Sequence, residues 1–270
     1  MSHGLNWRRS GKITPKAKPS ENMRVKEAAD VMYHLQARPD LIAIAGVWVR
    51  HNEEYNVLFV DACKVYCSRR VMYTEEVCKR LPYAFVWSLY HPLLDTSITR
   101  NTTNDKTTFS ITLSDGARYD NLELGFTGSV PGRRTTIFFK PDDACTVIKE
   151  QYIDSDRRFF EGSILKIIHA SGDFPGFVRL KWSEYVKNGG QRLAVSKRST
   201  TRFKTRLVIQ DKGTPLDSVK TVRELLMILY DVLEVTRILH RTWHIIHRDI
   251  SPGNILVTDR GAHIHGTYAS

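Results

Sequence analysis

No stretch of this sequence approaches the roughly 18 to 20 consecutive apolar residues that a membrane-crossing helix needs. The longest apolar run, Leu41 to Val49, has the length of a strand. The opening residues, MSHGLNWRRSGKITPKAKPS, are basic and lack the apolar core of a secretory leader. These absences predict an intracellular protein, cytoplasmic or nuclear, with no membrane partner. Cysteine is scarce as well: Cys63, Cys67, Cys78 and Cys145 form no C-x-x-C pair and have no histidines at zinc-finger spacing. A disulfide framework and a protein-held zinc ion are therefore not expected, and the thiols read as buried or free.

Acidic residues are the other shortage. Against 40 Lys and Arg stand 29 Asp and Glu, a net charge of +11 that attracts phosphate-bearing partners in a salt-dependent way. The excess is uneven. Arg8, Arg9, Lys12, Lys16, Lys18, Arg24 and Lys26 are opposed by Glu21 alone, so the first 26 residues carry six of the eleven net charges. A second cluster, SKRSTTRFKTR, runs from Ser196 to Arg206. The simplest expectation is a disordered basic arm over 1–20 and a solvated loop at the second cluster. Nucleic-acid or nuclear-import binding through the arm is a minor alternative.

What is present suffices for a folded chain: 270 residues, 41% of them hydrophobic, can bury a sizeable core. Val25, Ala28, Ala29, Met32 and Leu35 recur at helical spacing and stop before Pro39. LIAIAGVWVR and YNVLFVDACKVYC read as a strand pair joined by the polar HNEE. A helix is expected from Thr74, with Glu75 and Glu76 in its first turn, and residues 95–107 read as a polar linker. Beyond Phe109, TTIFFK and ACTVIKEQYI flank the turn signal PDD and predict an antiparallel pair. FEGSILKIIHA has helical periodicity, FVRLKWSEYV and RLVIQD read as strands around a Gly-rich basic loop, and a long amphipathic helix is expected from Thr221.

The chemistry concentrates in HIIHRDISPGN. His247, Arg248 and Asp249, with Asn254 five positions after the aspartate, spell H-R-D-x-x-x-x-N, the catalytic-loop pattern of protein kinases. The spacing has a mechanical reason. Phosphoryl transfer needs a carboxylate to orient the attacking hydroxyl and accept its proton, and a nearby amide oxygen to help hold magnesium. The bland alternative is a surface loop with an Asn turn. Upstream, TVIK places Lys149 on an expected strand, resembling the V-A-I-K lysine, and Glu161 on the following helix could hold its ammonium. Taken alone, each reads as well as a solvent-facing charge. Where a G-x-G-x-x-G loop would stand, GSVPGRRT offers only Gly132, with Arg134 where a second glycine would let the backbone approach phosphate.

Together GRRTTIF, TVIKEQYIDSDRRFFEGSILKII, TRFKTRLVIQDKGTPLDSVKTVRELLMILYDVLEVTRILH and IIHRDISPGNILV resemble the fungal-type protein kinase-like domain, a divergent branch of the protein kinase fold. The likeness spans roughly residues 35 to 265, with its strong motifs after Gly132. It implies an α+β fold: an N-terminal extension over 21–108, a small lobe of antiparallel sheet plus one helix over 109–217, and the start of a helical large lobe over 218–270. It implies ATP and Mg2+ as ligands and a protein Ser/Thr hydroxyl as acceptor. Lys149 would contact the α- and β-phosphates, Glu161 hold Lys149, Asp249 act as base and Asn254 bind magnesium. Gly132 would belong to the nucleotide-covering loop, and Arg248 would pair with a phosphorylated activation segment.

The likeness also has departures. Ser251 stands where Ser/Thr kinases commonly place a lysine, and the D-F-G type aspartate with its following helices is not found in the 270 residues. Asp259, in TDRG, reads as a β-turn. The expectation is a chain truncated after its catalytic loop, with little or no activity. The competing reading is a non-catalytic, pseudokinase-like module that docks a partner. A small-molecule kinase of the same fold is a third, disfavoured by Arg248.

Overall fold

The computed structural model describes residues 8–9, 19–50, 54–72, 74, 76–103, 106–143, 146–157, 160–170, 172–196, 201–258, 261–264 and 268–269. Its first layer begins with β1 (Arg8–Arg9) and α1 (Pro19–Ala37). A sheet follows: β2 (Ala43–Arg50) and β3 (Glu54–Asp61) pair antiparallel along their full length, and β4 (Val65–Cys67) and β5 (Val71–Met72) both pair with β3. The expected strand pair is thus present. Helix α1 closes over the sheet, where Leu35 packs with Leu41, Val60 and Val130. A second helix, α2 (Glu76–Tyr90), places Leu81 against Tyr55 and Val71.

The arm is not wholly unstructured, as had been expected. Arg8 pairs with Cys67 and Arg9 with Tyr66, because the open edge of β4 offers backbone groups that a passing extended segment can use. The other arm residues before Pro19 lie outside the described set.

The expected linker at 95–107 is also corrected. It contains β6 (Ile98–Thr103), which pairs antiparallel with β7 (Lys106–Thr112). Threonine favours strands, and β6 is an edge strand with only Ile98 buried, so a polar composition concealed it. The sheet continues through β8 (Arg118–Thr127), β9 (Thr136–Phe139) and β10 (Val147–Asp154). After α3 (Glu161–Ile168) come β11 (Leu180–Tyr185), the hairpin β12 (Lys187–Asn188) and β13 (Gln191–Arg192), then β14 (Ala194–Ser196) and β15 (Thr201–Ile209). The main order is β11-β15-β10-β9-β8-β7-β6, with β14 on β15. Gly189 and Gly190 both take positive φ, which the tight turn between β12 and β13 requires. One face of this sheet covers Phe109, Ile111, Leu122, Phe138, Ile148 and Val208; the other receives α3.

The basic cluster at Ser196–Arg206 overturns the solvated-loop expectation. From Thr201 it is the start of β15, and Lys204 and Arg206 have side chains 4% and 0% exposed. Lys204 Nζ donates to Asp95 Oδ2 at 2.6 Å and stands 2.6 Å from Glu150 Oε2. The second approach lacks hydrogen-bond geometry, so it acts as a charge pair and leaves Glu150 Oε2 without a hydrogen-bond donor. Arg206 donates to Glu150 Oε1 at 2.7 Å, Ser97 Oγ at 2.7 Å, and Thr112 O and Glu184 Oε1 at 3.1 Å. Burial pushes the Asp95 carboxyl up, but Lys204 and Arg206 outweigh it and leave it below the ordinary carboxylate range. Burial likewise pushes the Lys204 ammonium down, and Asp95 and Glu150 outweigh that and raise it. Local charge density could not reveal partners so distant in sequence.

The last segment holds β16 (Thr214–Pro215), α4 (Val222–Trp243), β17 (Ile246–His247), β18 (Ile255–Thr258), β19 (Gly261–Ile264) and β20 (Tyr268–Ala269). Thr221 caps α4 by accepting from the Glu224 amide at 3.1 Å, which satisfies one of the helix's free N–H groups. Ile228, Val232, Val235 and Leu239 pack against Ile164, Leu165 and Ile168 of α3 and against Leu207, so one core joins the sheet to the segment that follows α4. The architecture is α+β, as the sequence predicted. No described helix is long and apolar enough to cross a membrane.

Candidate active site

Strand β10 lies between β9 and β15, with Lys149 opposite Ile137 and Leu207. Its alternation separates neighbouring charges. Glu150 goes to the ion cluster beneath β6 and β7, and Lys149 goes to the α3 side, where it meets Glu161. Lys149 Nζ donates to Glu161 Oε1 at 3.0 Å and Oε2 at 2.8 Å, and both side chains are almost wholly buried. Gln151 Nε2 stands 3.5 Å from Glu161 Oε2. Glu161 opens α3, where the helix dipole favours a carboxylate. Gly162, the next residue, had no assigned role in the sequence reading. A Cβ there would meet Ser183 Cβ at 2.7 Å and Leu207 Cδ2 at 2.9 Å, so its lack of a side chain lets α3 seat Glu161 close to the sheet.

The H-R-D segment begins where α4 ends. His244 takes the left-handed conformation, φ 54°, and its amide donates to His240 O at 3.0 Å, which turns the chain sharply. Ile245 enters the core and β17 pairs with β20. His247 is buried, and its Nδ1 accepts from the Asp249 amide at 3.3 Å. Asn254 Nδ2 donates to Asp249 O at 2.8 Å and closes the loop. That bond occupies the amide nitrogen and leaves the Asn254 amide oxygen free to act as an acceptor. Asp249 and Arg248 are exposed. The structure therefore assembles two couples, Lys149 with Glu161 and Asp249 with Asn254, linked through the core between α3 and α4.

Gly132 departs from its expected role. It lies in the loop between β8 and β9, but its amide donates to Ala62 O at 3.2 Å and its carbonyl accepts from Arg202 Nη1 at 2.6 Å. With both backbone groups committed, Gly132 does not offer an amide to phosphate here. Arg134 explains the missing second glycine. It adopts φ 44° and is buried, donating from Nη1 to Leu41 O at 2.7 Å and from Nη2 to Leu35 O at 2.6 Å and Arg38 O at 2.8 Å. The guanidinium caps carbonyls at and just beyond the end of α1, so the loop is fastened to the first layer. The φ of 44° is one that glycine adopts most readily, so the backbone at 134 is glycine-like while the side chain serves as an anchor.

The α+β architecture thus holds two couples, Lys149 with Glu161 and Asp249 with Asn254. Residues 190–267 match the family model described as fungal protein kinase, which supports a fungal-type protein kinase-like family. That stretch holds β15, α4 and the H-R-D loop; Gly132, Lys149 and Glu161 precede it. No curated protein matches the chain.

Proposed function

We propose that the chain is a phosphotransferase that moves the γ-phosphoryl group of ATP to a protein Ser/Thr hydroxyl. The observation that carries this reading is the bidentate, buried Lys149–Glu161 pair on the strand and helix where a kinase requires it. Lys149 would bind the α- and β-phosphates, and Glu161 would keep the ammonium from swinging away. Asp249 would orient the acceptor hydroxyl. As the hydroxyl oxygen bonds to the γ-phosphorus and the bond to the ADP oxygen breaks, the Asp249 carboxylate takes the proton. The Asn254 amide oxygen suits a magnesium ion, which when bound neutralises charge on the phosphates. A clean test is magnesium-dependent transfer of labelled phosphate to a protein acceptor by the purified chain. Asp249→Asn should lower the rate at least about a hundredfold while the fold persists by circular dichroism, since general base catalysis contributes roughly that much. Transfer untouched by Asp249→Asn would refute the assignment.

A second reading is favoured by two observations: Gly132 has both backbone groups committed inside the protein, and α4 leaves an apolar face exposed. On this reading the chain is a pseudokinase-like docking module. Nucleotide binding without transfer, measured by calorimetry, would distinguish it.

A further inference from the structure

Helix α3 carries Glu161 but is weakly held where Glu161 sits. It has 8 residues, fewer than an isolated helix needs, and its apolar anchors, Ile164, Leu165 and Ile168, all lie further along. Gly162 lets the first turn approach the sheet but has no side chain to fix it there. At the start stands Phe160, whose side chain supplies no capping bond. Its carbonyl nonetheless receives the first helical bonds, from the Ser163 amide at 3.0 Å and the Ile164 amide at 3.2 Å. The first turn therefore goes where Phe160 goes.

Phe160 is placed by a ring on the sheet. It stacks on Tyr185 of β11, centroids 5.7 Å and planes 27° apart, and Tyr185 meets Phe203 of β15 edge-on at 5.9 Å. The Arg192 guanidinium lies over the Tyr185 ring, 4.4 Å from its centroid, and 5.8 Å from that of Phe203. Arg192 reaches this place because β12 and β13 turn back at Gly189 and Gly190 and the base of the hairpin is fastened to β15. There the Leu193 amide donates to Val186 O at 2.8 Å and its carbonyl accepts from the Lys204 amide at 2.9 Å. We propose that Tyr185 is a positioning residue for the Lys149–Glu161 pair, with Arg192 holding its ring: the hairpin clamps Tyr185, Tyr185 seats Phe160, and Phe160 sets the turn that aims Glu161 at Lys149. This role in catalysis rests on the phosphotransferase reading of that pair.

Hydrogen exchange, read residue by residue, and transfer kinetics test it separately on the full chain. Tyr185→Leu keeps an apolar side chain on the strand but removes the ring. The Ser163 and Ile164 amides should then exchange at least about tenfold faster, with the amides of β15 unchanged, while Tyr185→Phe behaves as the parent chain does. Arg192→Ala, at an exposed position, should speed the same two amides about threefold, and Arg192→Lys should recover most of that. In the Tyr185→Leu background Arg192→Ala should add nothing, since its effect passes through the ring. Tyr185→Leu should also lower kcat at least about tenfold with KM for the protein acceptor unchanged, because a small misplacement of Glu161 costs rate while the acceptor is held at Asp249. Tyr185→Phe should restore kcat. Exchange unchanged in Tyr185→Leu, faster exchange spread evenly over the chain, or an unchanged kcat in a variant whose first turn has loosened would each overturn the proposal. Loosening confined to the first turn, with no transfer by the parent chain either, would uphold the seating of Glu161 and refute the phosphotransferase reading instead.

Discussion

Lys149 and Glu161 form a pair whose side chains are 7% and 5% exposed, and such a pair adds little net stability but is costly to break. Lys149→Met should therefore destabilise by about 3–5 kcal/mol, whereas Lys149→Met with Glu161→Leu should return most of it. Urea denaturation midpoints would show the difference, and phosphate transfer should vanish in both. The Asp95–Lys204 pair makes a prediction about pH. Asp95 is held low, so its contribution is present above the ordinary aspartate value of about 3.9 and is lost as pH falls through the depressed one. Lys204 is held high, so its contribution is full below about pH 10.4 and is lost as pH rises through the raised value. Stability should fall at both ends, and Asp95→Asn should cost about 3–5 kcal/mol at neutral pH while flattening the acid limb of a denaturation-against-pH curve. Lys149, Asp249 and Asn254 could be picked out in the sequence because they stand in TVIK and in H-R-D-x-x-x-x-N, and Glu161 because it is the acid on the helix that follows Lys149. Arg134 and Arg206 were not, since a basic residue's burial is decided by acceptors such as Leu41 O or Glu150, far away along the chain.

At the level of elements, α3 shows why spacing alone misses a packing constraint. A glycine in its first turn looks like a weak point in a helix, yet it sets the distance between helix and sheet. Gly162→Ala would gain about 1 kcal/mol of helix propensity and lose about 1–3 kcal/mol to overpacking against Ser183 and Leu207, so the clash should win. The expected outcome is a lower thermal midpoint and reduced transfer; adding Ser183→Gly should recover only part, because Leu207 and Phe160 still crowd the site at 2.9 Å. Helices α1, α3 and α4 were readable because apolar residues recur at their period over two or more turns. Strand β6 was not, because its single buried anchor, Ile98, makes no pattern; β14 and the first half of β15 were hidden in what read as a Gly-rich basic loop, and only the RLVI end of β15 showed as a strand.

Across the whole molecule the first layer and the larger sheet are joined by Arg134, Arg202, Gln36 and the packing of Ala62 with Tyr152, Val186 and Val195. Calorimetry of the chain should show one cooperative transition. Arg134→Met, which strips donors from the carbonyls of Leu35, Arg38 and Leu41, should cost about 2–4 kcal/mol and separate that transition into two. The existence of two regions was visible in the change of texture along the sequence. Their fusion was not, because it rests on single side chains, Arg134, Arg202 and Gln36, reaching backbone oxygens far away in sequence, and on a small apolar contact around Ala62. Arg202 has a further consequence. Its Nη1 is shared between Ala62 O at 2.8 Å and Gly132 O at 2.6 Å, so one nitrogen is a pin through two segments. Any ligand that lifts the β8–β9 loop must drag the end of β3 with it or snap a charge-assisted bond, so strain applied at the loop is felt in the far sheet as leverage.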